Sequence, residues 1–239
     1  MVHIWQINLL QSEAVVQKLG QTLAEDEVQR ASRFRFEQDR RRFVVGRGHL
    51  RSILSHYIGS TPSFLQFTYG PKGKPFLAGP LVNSTCTRSI EHSAGEGIGH
   101  FSSCLERNSV QALQFNMSHS HELALCAVST RRKVGIDLEY LRPLPEAEQL
   151  AKRFFSKAEH ALIQAVPVEE QAYVFFRLWT AKEAYLKATG KGLGHPLDQV
   201  EIIQTQDSWA LSEALSGWFM QSFTPTTHYL AALVVENLE

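Results

Sequence analysis

Residues 135–139 read Gly-Ile-Asp-Leu-Glu, and they place two acids inside a segment, 134–141, that otherwise has the pattern of a buried strand. Strands disfavour Asp and, less strongly, Glu. Because side chains alternate along a strand, Gly135, Asp137 and Glu139 share one face, and the two carboxylates lie roughly 7 Å apart. Carboxylates, water and substrate phosphates are the ligands that Mg²⁺ takes in proteins. The stretch therefore indicates either a cation site or a solvated strand face that carries two acids.

The strongest helix candidate, residues 169–190, carries a second cluster of charged residues. Glu183 and Lys187 are four residues apart and share one face of the helix, and Lys182 precedes Glu183. Such a pair is common on a surface helix, which it stabilises by roughly a few tenths of a kcal/mol. The same helix also carries an apolar and aromatic stripe that must be buried. This stripe favours the edge of a cleft over open solvent for the charged pair.

The order of elements along the chain predicts an α+β fold. Residues 12–31 and 41–59 have helical patterns, and the order strand, helix, helix, strand occurs twice. We therefore expect two similar halves related by duplication, residues 1–130 and residues 131–239. Residues 78–114 are rich in Ser, Gly and Asn and lack periodicity, which indicates an insertion in the first half.

The composition excludes several classes of protein. The formal net charge is zero and the pI is about 7.2, so no overall field favours nucleic acid or a membrane surface. The three cysteines form no CxxC motif, which argues against a disulfide framework or a cysteine-rich zinc site. We find neither a signal-peptide pattern nor an apolar run of membrane-spanning length. We expect a cytoplasmic protein that binds neither nucleic acid nor membrane.

The segment 116–121, Asn-Met-Ser-His-Ser-His, contains candidate polar residues in a turn-like stretch before a strand. A serine-hydrolase interpretation of Ser118 fails because no GxSxG motif precedes a helix. A zinc interpretation of His119 and His121 lacks further clear ligands. A histidine in such a turn has a structural role unless the turn faces an anion.

Two basic segments are further candidates for anion binding. The turn at 70–76, Gly-Pro-Lys-Gly-Lys-Pro-Phe, is not a Walker A loop, but its N–H groups can bind phosphate, and the alternative is an ordinary solvated turn. Residues 30–51 contain eight arginines, no lysine and only two acids. These arginines indicate a local anion site, stems packed over apolar surface, or a nucleic-acid patch. No nucleic-acid-binding motif accompanies them.

Taken together, these segments resemble one family. The stretches GKPF, FNMSHSHELALCAV, VGIDLEYLRP, AKRFFSKAE and LWTAKEAYLKATGKGL occur in the order and spacing of the Sfp-type (surfactin-type) 4′-phosphopantetheinyl transferases. The resemblance covers residues 65–77 and 115–205 well and the arginine-rich segment more loosely. Its most specific part is GIDLE followed, about forty residues later, by W-x-x-K-E-x-x-x-K.

The resemblance implies a fold and an activity. The fold would be two similar α+β halves related by pseudo-two-fold symmetry, with the active site in the cleft between them. The enzyme would transfer the 4′-phosphopantetheine group from coenzyme A to a serine of an acyl or peptidyl carrier protein and release 3′,5′-ADP. The carriers would serve fatty acid, polyketide or nonribosomal peptide synthesis. The enzyme would be a monomer that requires Mg²⁺, with Mn²⁺ as a possible substitute.

The resemblance also implies roles for individual residues. The metal ligands would be Asp137, Glu139 and Glu183. Catalysis would rest on Glu183, as the base for the carrier serine, together with Asp137 and Lys187. The contacts to coenzyme A would be Arg30, Arg42, Gly73, Lys74, Pro75, Ser118, His119, Lys182 and Lys187.

Two features depart from the family pattern, and two alternative functions stay open. Phe43 stands where a polar phosphate-binding residue is usual, and the insertion 78–114 replaces a short loop. The alternatives are a Mg²⁺-dependent phosphodiesterase or nuclease, and a non-catalytic module that binds coenzyme A or a carrier. We also expect part of the arginine-rich segment 30–51, with the apolar segment 154–163, to dock the acidic helix of a carrier.

Overall fold

The computed structural model describes residues 1–78, 113–192, 194–205 and 208–237, so the predicted insertion lies almost wholly outside the described residues. The first run of elements is β1 (Val2–Asn8), α1 (Glu13–Gly20), α2 (Glu25–Ser32), α3 (Glu37–Ile58), β2 (Phe67–Tyr69), β3 (Pro75–Leu77), β4 (Gln114–Ser120) and β5 (Leu123–Ser129). The second run is β6 (Val134–Tyr140), α4 (Ala147–Phe154), α5 (Lys157–Gln164), α6 (Val168–Thr189), β7 (Ile202–Gln204), β8 (Trp209–Leu211), β9 (Trp218–Phe223) and β10 (Tyr229–Glu236).

The two runs have the same connectivity within the described residues. One antiparallel sheet has the order β1-β5-β4 and another has the order β6-β10-β9. In each sheet the first strand of the run pairs with the last, and the last pairs with the strand before it. The mixed helices and antiparallel sheets confirm the predicted α+β class. The division at residue 130 and the pseudo-two-fold relation stay predictions.

The described residues group in space into two compact units. One unit contains residues 1–11, 69–76 and those from 113 onward, and the other contains residues 12–68 with 77–78. All the carboxylates of the predicted site belong to the first unit, whereas the arginine-rich segment belongs to the second. No helix of the described residues is long and apolar enough to cross a membrane.

Helix α6 packs closely against β6 because Gly135 lacks a side chain. A Cβ atom on Gly135 would overlap the carbonyl oxygen of Ala184 and the amide nitrogen of Ala188. Only glycine allows a helix backbone to approach a strand this closely. The glycine therefore sets the Glu183–Lys187 turn of the helix directly over the strand that carries Asp137.

The two faces of β6 have different environments, as the alternation predicts. Val134, Ile136 and Leu138 are fully buried in an apolar cluster with residues of β5 and β10. Gly135 and Asp137 belong to the opposite face, which α6 covers. Burial of the apolar face fixes the register of the strand, because a shift by one residue would expose the whole apolar set.

Side chains of β4 replace a main-chain ladder between β4 and β6, which lie in different sheets. Asn116 accepts a hydrogen bond from the N–H of Ile136 on its Oδ1 atom at 2.8 Å. Ser120 accepts one from the N–H of Tyr140 on its hydroxyl at 3.0 Å. Asn116, Ser118 and Ser120 follow one another at every second position of β4, so all three share one face. This polar seam holds the strand of Ser118 against the strand of Asp137.

Candidate active site

The centre of the site is a triangle of polar side chains from three elements. Lys187 of α6 donates hydrogen bonds from its ammonium to Asp137 Oδ1 of β6 at 2.5 Å and to the Ser118 hydroxyl of β4 at 2.9 Å. Ser118 itself donates to Asp137 Oδ1 at 2.8 Å. Asp137 is only 4% exposed, so its charge is held by these partners rather than by bulk water.

Glu183 lies one turn before Lys187 and has an unusual environment for a carboxylate. Its Oε1 atom is buried and has no hydrogen-bond partner within the described residues. Burial, together with the charges of Asp137 and Glu139, raises the pKa of Glu183 to about 7, although Lys187 opposes the shift. Asp137 also has a buried oxygen, Oδ2, without a partner in the same part of the chain. Buried unpaired polar atoms of this kind are rare and need an explanation.

Glu139 is the third carboxylate of the site and lies at its more open side. Ser120 donates to its Oε2 atom at 3.3 Å, and the guanidinium of Arg142 approaches the same oxygen at 3.7 Å. Burial and the charge of Asp137 raise the pKa of Glu139, and Arg142 partly offsets the rise. The acids of the site therefore lie close enough to oppose one another's ionisation.

These residues fit a cation chemically, although they do not form a ready-made cage. A bound cation would reduce the mutual repulsion between the acids. It would also give a partner to Asp137 Oδ2 and Glu183 Oε1, the two buried oxygens that have none within the described residues. Among the described residues, no group of three or more His, Cys, Asp or Glu is arranged to hold a metal ion. The metal-ligand assignment therefore stays a prediction, and the zinc alternative at His119 and His121 gains no support.

The predicted coenzyme A contacts of β4 and of the β2–β3 turn have distinct placements. His119 is exposed on the face of β4 opposite Ser118. Gly73 has a left-handed φ of 78°, which closes the turn before Pro75 begins β3. Lys74 directs its ammonium to the carbonyl oxygen of Lys187, at 2.6 Å.

Lys182 lies in the core, on a different face of α6 from Lys187. Its side chain is fully buried, and its ammonium meets Glu159 Oε1 at 2.6 Å, the Leu197 carbonyl at 2.9 Å and the Val200 carbonyl at 2.5 Å. These three acceptors use all the donors of an ammonium group. Its role as a phosphate contact stays a prediction, and this placement does not favour it.

Arg30, Arg42 and Phe43 belong to the second unit and are described on their own. The guanidinium of Arg30 lies over the ring of Phe43, 5.3 Å from its centroid, which is a cation–π geometry. Arg42 approaches Asp39 at 3.9 Å, and its Nε atom is buried without a hydrogen-bond partner in the described chain. Phe43, the departure from the family pattern, therefore packs under a predicted phosphate-binding arginine.

Most of the other arginines of segment 30–51 form ion pairs with acids. Arg47 and Arg51 both pair with the buried Glu27, and Arg41 pairs with Glu13. Arg40 pairs with Glu37, at 2.5 Å. Arg33 and Arg35 form no ion pair within the described residues. The local positive charge is therefore smaller than the sequence count predicts.

Sequence reasoning missed two residues that support the site and one that anchors a predicted site residue in the core. Asn116 and Ser120 join β4 to β6, and Glu159 anchors Lys182. The alternation of polar residues in Asn116-Met117-Ser118-His119-Ser120 was a signal that one face of this strand meets polar groups. Glu159 is the capping-box residue of α5, and this local role gave no hint of its second role in the core.

Comparison with known proteins gives matches in both parts of the sequence. Residues 133–234 match the 4′-phosphopantetheinyl transferase superfamily, and residues 10–95 match the N-terminal family of 4′-phosphopantetheinyl transferases. The 4′-phosphopantetheinyl transferase HetI of Nostoc sp. is 42% identical over 234 residues, which cover 98% of this chain and 87% of that protein. The 4′-phosphopantetheinyl transferase Sfp of Bacillus subtilis is 29% identical over 179 residues, covering 75% of this chain and 65% of that protein. A crystal structure of Thermotoga maritima holo-[acyl-carrier-protein] synthase aligns with a TM-score of 0.38 and 24% identity over 45% of this chain and 64% of that chain.

The chain belongs to the 4′-phosphopantetheinyl transferase superfamily, and within it to the Sfp type. It is therefore an enzyme that uses coenzyme A as a substrate and transfers the phosphopantetheine group to a carrier protein. This assignment confirms the resemblance and leaves the phosphodiesterase and the non-catalytic module without support.

Proposed function

We propose that Asp137, Glu139 and Glu183 form a Mg²⁺ site, with Mn²⁺ as a possible substitute, at which 4′-phosphopantetheine passes from coenzyme A to a carrier serine. The observation that carries this proposal is the pair of buried oxygens, Asp137 Oδ2 and Glu183 Oε1, which lie on facing elements and have no hydrogen-bond partner among the described residues. When bound, the cation would offset negative charge on the pyrophosphate oxygens of coenzyme A.

Glu183 is the residue best suited to take the proton of the carrier serine. Burial raises the pKa of Glu183 to about 7 in the metal-free protein, and a bound cation would lower this pKa and so keep Glu183 in the ionised form that a general base needs. The proton passes to Glu183 directly or through one water. Protonated Glu183 accepts no further proton, so transfer requires its ionised form.

Lys187 holds Asp137 in place and keeps one donor for the substrate. An ammonium group has three donors, and two of them go to Asp137 Oδ1 and the Ser118 hydroxyl. The third has no partner in the part of the chain that the structure describes, so it would be available to a phosphate oxygen of coenzyme A. The Lys187 side chain is 28% exposed, compared with 6% for Asp137, which fits a group that faces a substrate.

The remaining contacts to coenzyme A are proposals from family membership. Ser118 and His119 would meet its phosphates, Gly73, Lys74 and Pro75 would line its adenine pocket, and Arg30 and Arg42 would supply further positive charge. Because the Lys74 ammonium bonds to the end of α6, the contribution of Lys74 to an adenine pocket would come from its main chain. A monomeric enzyme acting on fatty acid, polyketide or nonribosomal peptide carriers in the cytoplasm remains our expectation.

The test is conversion of apo carrier protein to the holo form, followed by intact mass. Wild type with coenzyme A and Mg²⁺ should add one phosphopantetheine group, and Asp137→Ala should add none on the same time scale. Glu170→Gln is the matched control, because Glu170 is an exposed acid in the first turn of the same helix. A carrier that stays apo with wild type, or Asp137→Ala turnover equal to that of Glu170→Gln, would contradict the proposal.

A further inference from the structure

The turn between β2 and β3 sends a lysine side chain to the last turn of α6. Lys74 donates to the carbonyl oxygen of Lys187 at 2.6 Å, and its ammonium also lies 3.5 Å from the carbonyl oxygen of Ala188. The last carbonyls of a helix lack intrahelical partners and carry partial negative charge. A cation is therefore stabilising at this position.

The same ammonium also reaches the strand on which α6 packs. The carbonyl oxygen of Val134, the first residue of β6, lies 3.4 Å from Lys74 Nζ. Val134 is three residues before Asp137 along this short strand. Lys74 thus bridges the C-terminal turn of the helix, which carries Lys187, and the first residue of the strand that carries Asp137.

Lys187 connects Lys74 to the active site, because it contacts Lys74 through its main chain and the site through its side chain. Its carbonyl oxygen accepts from Lys74, and its own ammonium donates to Asp137 and Ser118. A shift of the last turn of α6 would therefore move the Lys187 ammonium relative to Asp137. Displacements of about 1 Å at a reacting centre cost up to roughly 100-fold in rate.

We propose that Lys74 is a positioning residue, which fixes the C-terminal turn of α6 on β6 so that the Lys187 ammonium stays on Asp137 and Ser118. The inference rests on the proposed function of Lys187. It assigns the Lys74 side chain a role through another residue rather than a direct contact with coenzyme A. Burial, with a smaller effect of Lys133, lowers the pKa of Lys74 to about 8, so the ammonium form still predominates at neutral pH.

A double-mutant cycle on transfer rates tests this inference. Lys74→Met keeps most of the side-chain stem and removes the ammonium, and we expect it to lower kcat about 10-fold at saturating coenzyme A and carrier. In a Lys187→Met background, the same change should lower kcat by less than about 2-fold, because residues that act through one another are not additive. The KM for coenzyme A should change little in the single variant.

Lys72→Met is the matched control, because Lys72 is an exposed lysine in the same turn and should keep the wild-type kcat. Thermal unfolding of each variant shows that the proteins compared are folded. If Lys74→Met did not fold, Lys74→Gln, which keeps a shorter donor, would take its place in the cycle.

The outcomes separate this inference from the proposed function. Equal fold-losses in both backgrounds, or a raised KM for coenzyme A with unchanged kcat, would overturn the positioning role while transfer by wild type still stands. A wild-type kcat in Lys187→Met would remove the role of Lys187 and this inference with it. Absence of holo carrier with wild type would instead contradict the proposed function.

Discussion

Two lysines on α6, five residues apart, form ion pairs with very different surroundings. Around Lys182, every donor is used, and Glu159 also accepts from the N–H groups of Ile202 and Ser156. Around Lys187, the pair with Asp137 leaves a carboxylate oxygen of Asp137 and one of Glu183 buried without partners in the described chain. A buried charged group whose hydrogen bonds are all formed within the protein stabilises the fold, whereas buried oxygens without partners indicate a site that binds a ligand.

The largest effect should come from removing an acid near Lys187, where carboxylate oxygens lack partners within the described residues. We expect Glu183→Gln to lower kcat for carrier modification by about 10²–10⁴-fold, the usual contribution of a general base, while the fold persists. The measurement is the initial rate of phosphopantetheine transfer at saturating substrates. A loss below about 3-fold, outside the usual range for a base, would sink the assignment of Glu183.

Removing the ammonium group of Lys182, all of whose donors have partners, should affect stability rather than catalysis. Lys182→Met leaves Glu159 charged and buried without its partner, which costs about 3–5 kcal/mol in the free energy of unfolding. Urea unfolding measures this loss, and kcat per folded molecule should stay near the wild-type value. The reverse pattern, a stable protein with impaired use of coenzyme A, would restore Lys182 as a phosphate contact.

The pH dependence of stability sharpens the same comparison. A carboxyl group whose pKa is higher in the folded state stabilises the fold at low pH and loses that contribution as pH rises through the folded pKa. For Glu183 this window runs from the ordinary value of 4.5 to about 7. In metal-free protein at pH 8, Glu183→Gln should therefore be more stable than wild type, by up to about 3 kcal/mol.

Near pH 4 the two proteins should unfold nearly alike, because wild-type Glu183 is then mostly protonated in both states. Saturating Mg²⁺ should remove the advantage of the variant at pH 8, since a bound cation offsets the repulsion between the acids. If the stability of wild type and of Glu183→Gln changed in parallel across the whole pH range, the pKa of Glu183 would not be raised in the folded protein.

A smaller effect should separate paired from unpaired arginines of segment 30–51. Arg33 is exposed and forms no ion pair within the described residues, whereas Arg40 pairs with Glu37. We expect Arg33→Glu to raise the KM for an acidic carrier about 3-fold, and high salt to raise it in wild type, because steering by exposed charges is screened. A carrier KM indifferent to both changes would remove the docking role of this segment.

The parts of the site that depend on local periodicity could be predicted from the sequence. Alternation in a strand put Asp137 and Glu139 on the face opposite Ile136, and helical spacing put Glu183 beside Lys187. What the sequence could not reveal was the direction of each lysine, because Lys182 and Lys187 have equally good local contexts. Their roles depend on Glu159 and Asp137, which are distant in sequence and come close only through tertiary packing.

The errors in the fold have both local and long-range causes. Residues 12–31 were predicted as one helix, but the structure has α1 and α2 separated at residues 21–24, where the Ala24 N–H bonds to the Glu27 carboxylate. The strands β8 and β9 were not predicted at all. The positive charge of segment 30–51 was overestimated because Glu13 and Glu27, which form ion pairs with three of its arginines, lie outside it in the sequence.

The central claim is that two buried oxygens, one of Asp137 and one of Glu183, which have no partner within the described residues, belong to a divalent-cation site. Its most direct measurement is titration of the protein with Mn²⁺ in the presence of coenzyme A, with free Mn²⁺ followed by electron paramagnetic resonance. We predict one bound Mn²⁺ per wild-type chain, displaced by excess Mg²⁺, and at least about tenfold weaker binding for Asp137→Ala and for Glu183→Gln. Mn²⁺ binding of equal strength in wild type and both variants would contradict the account.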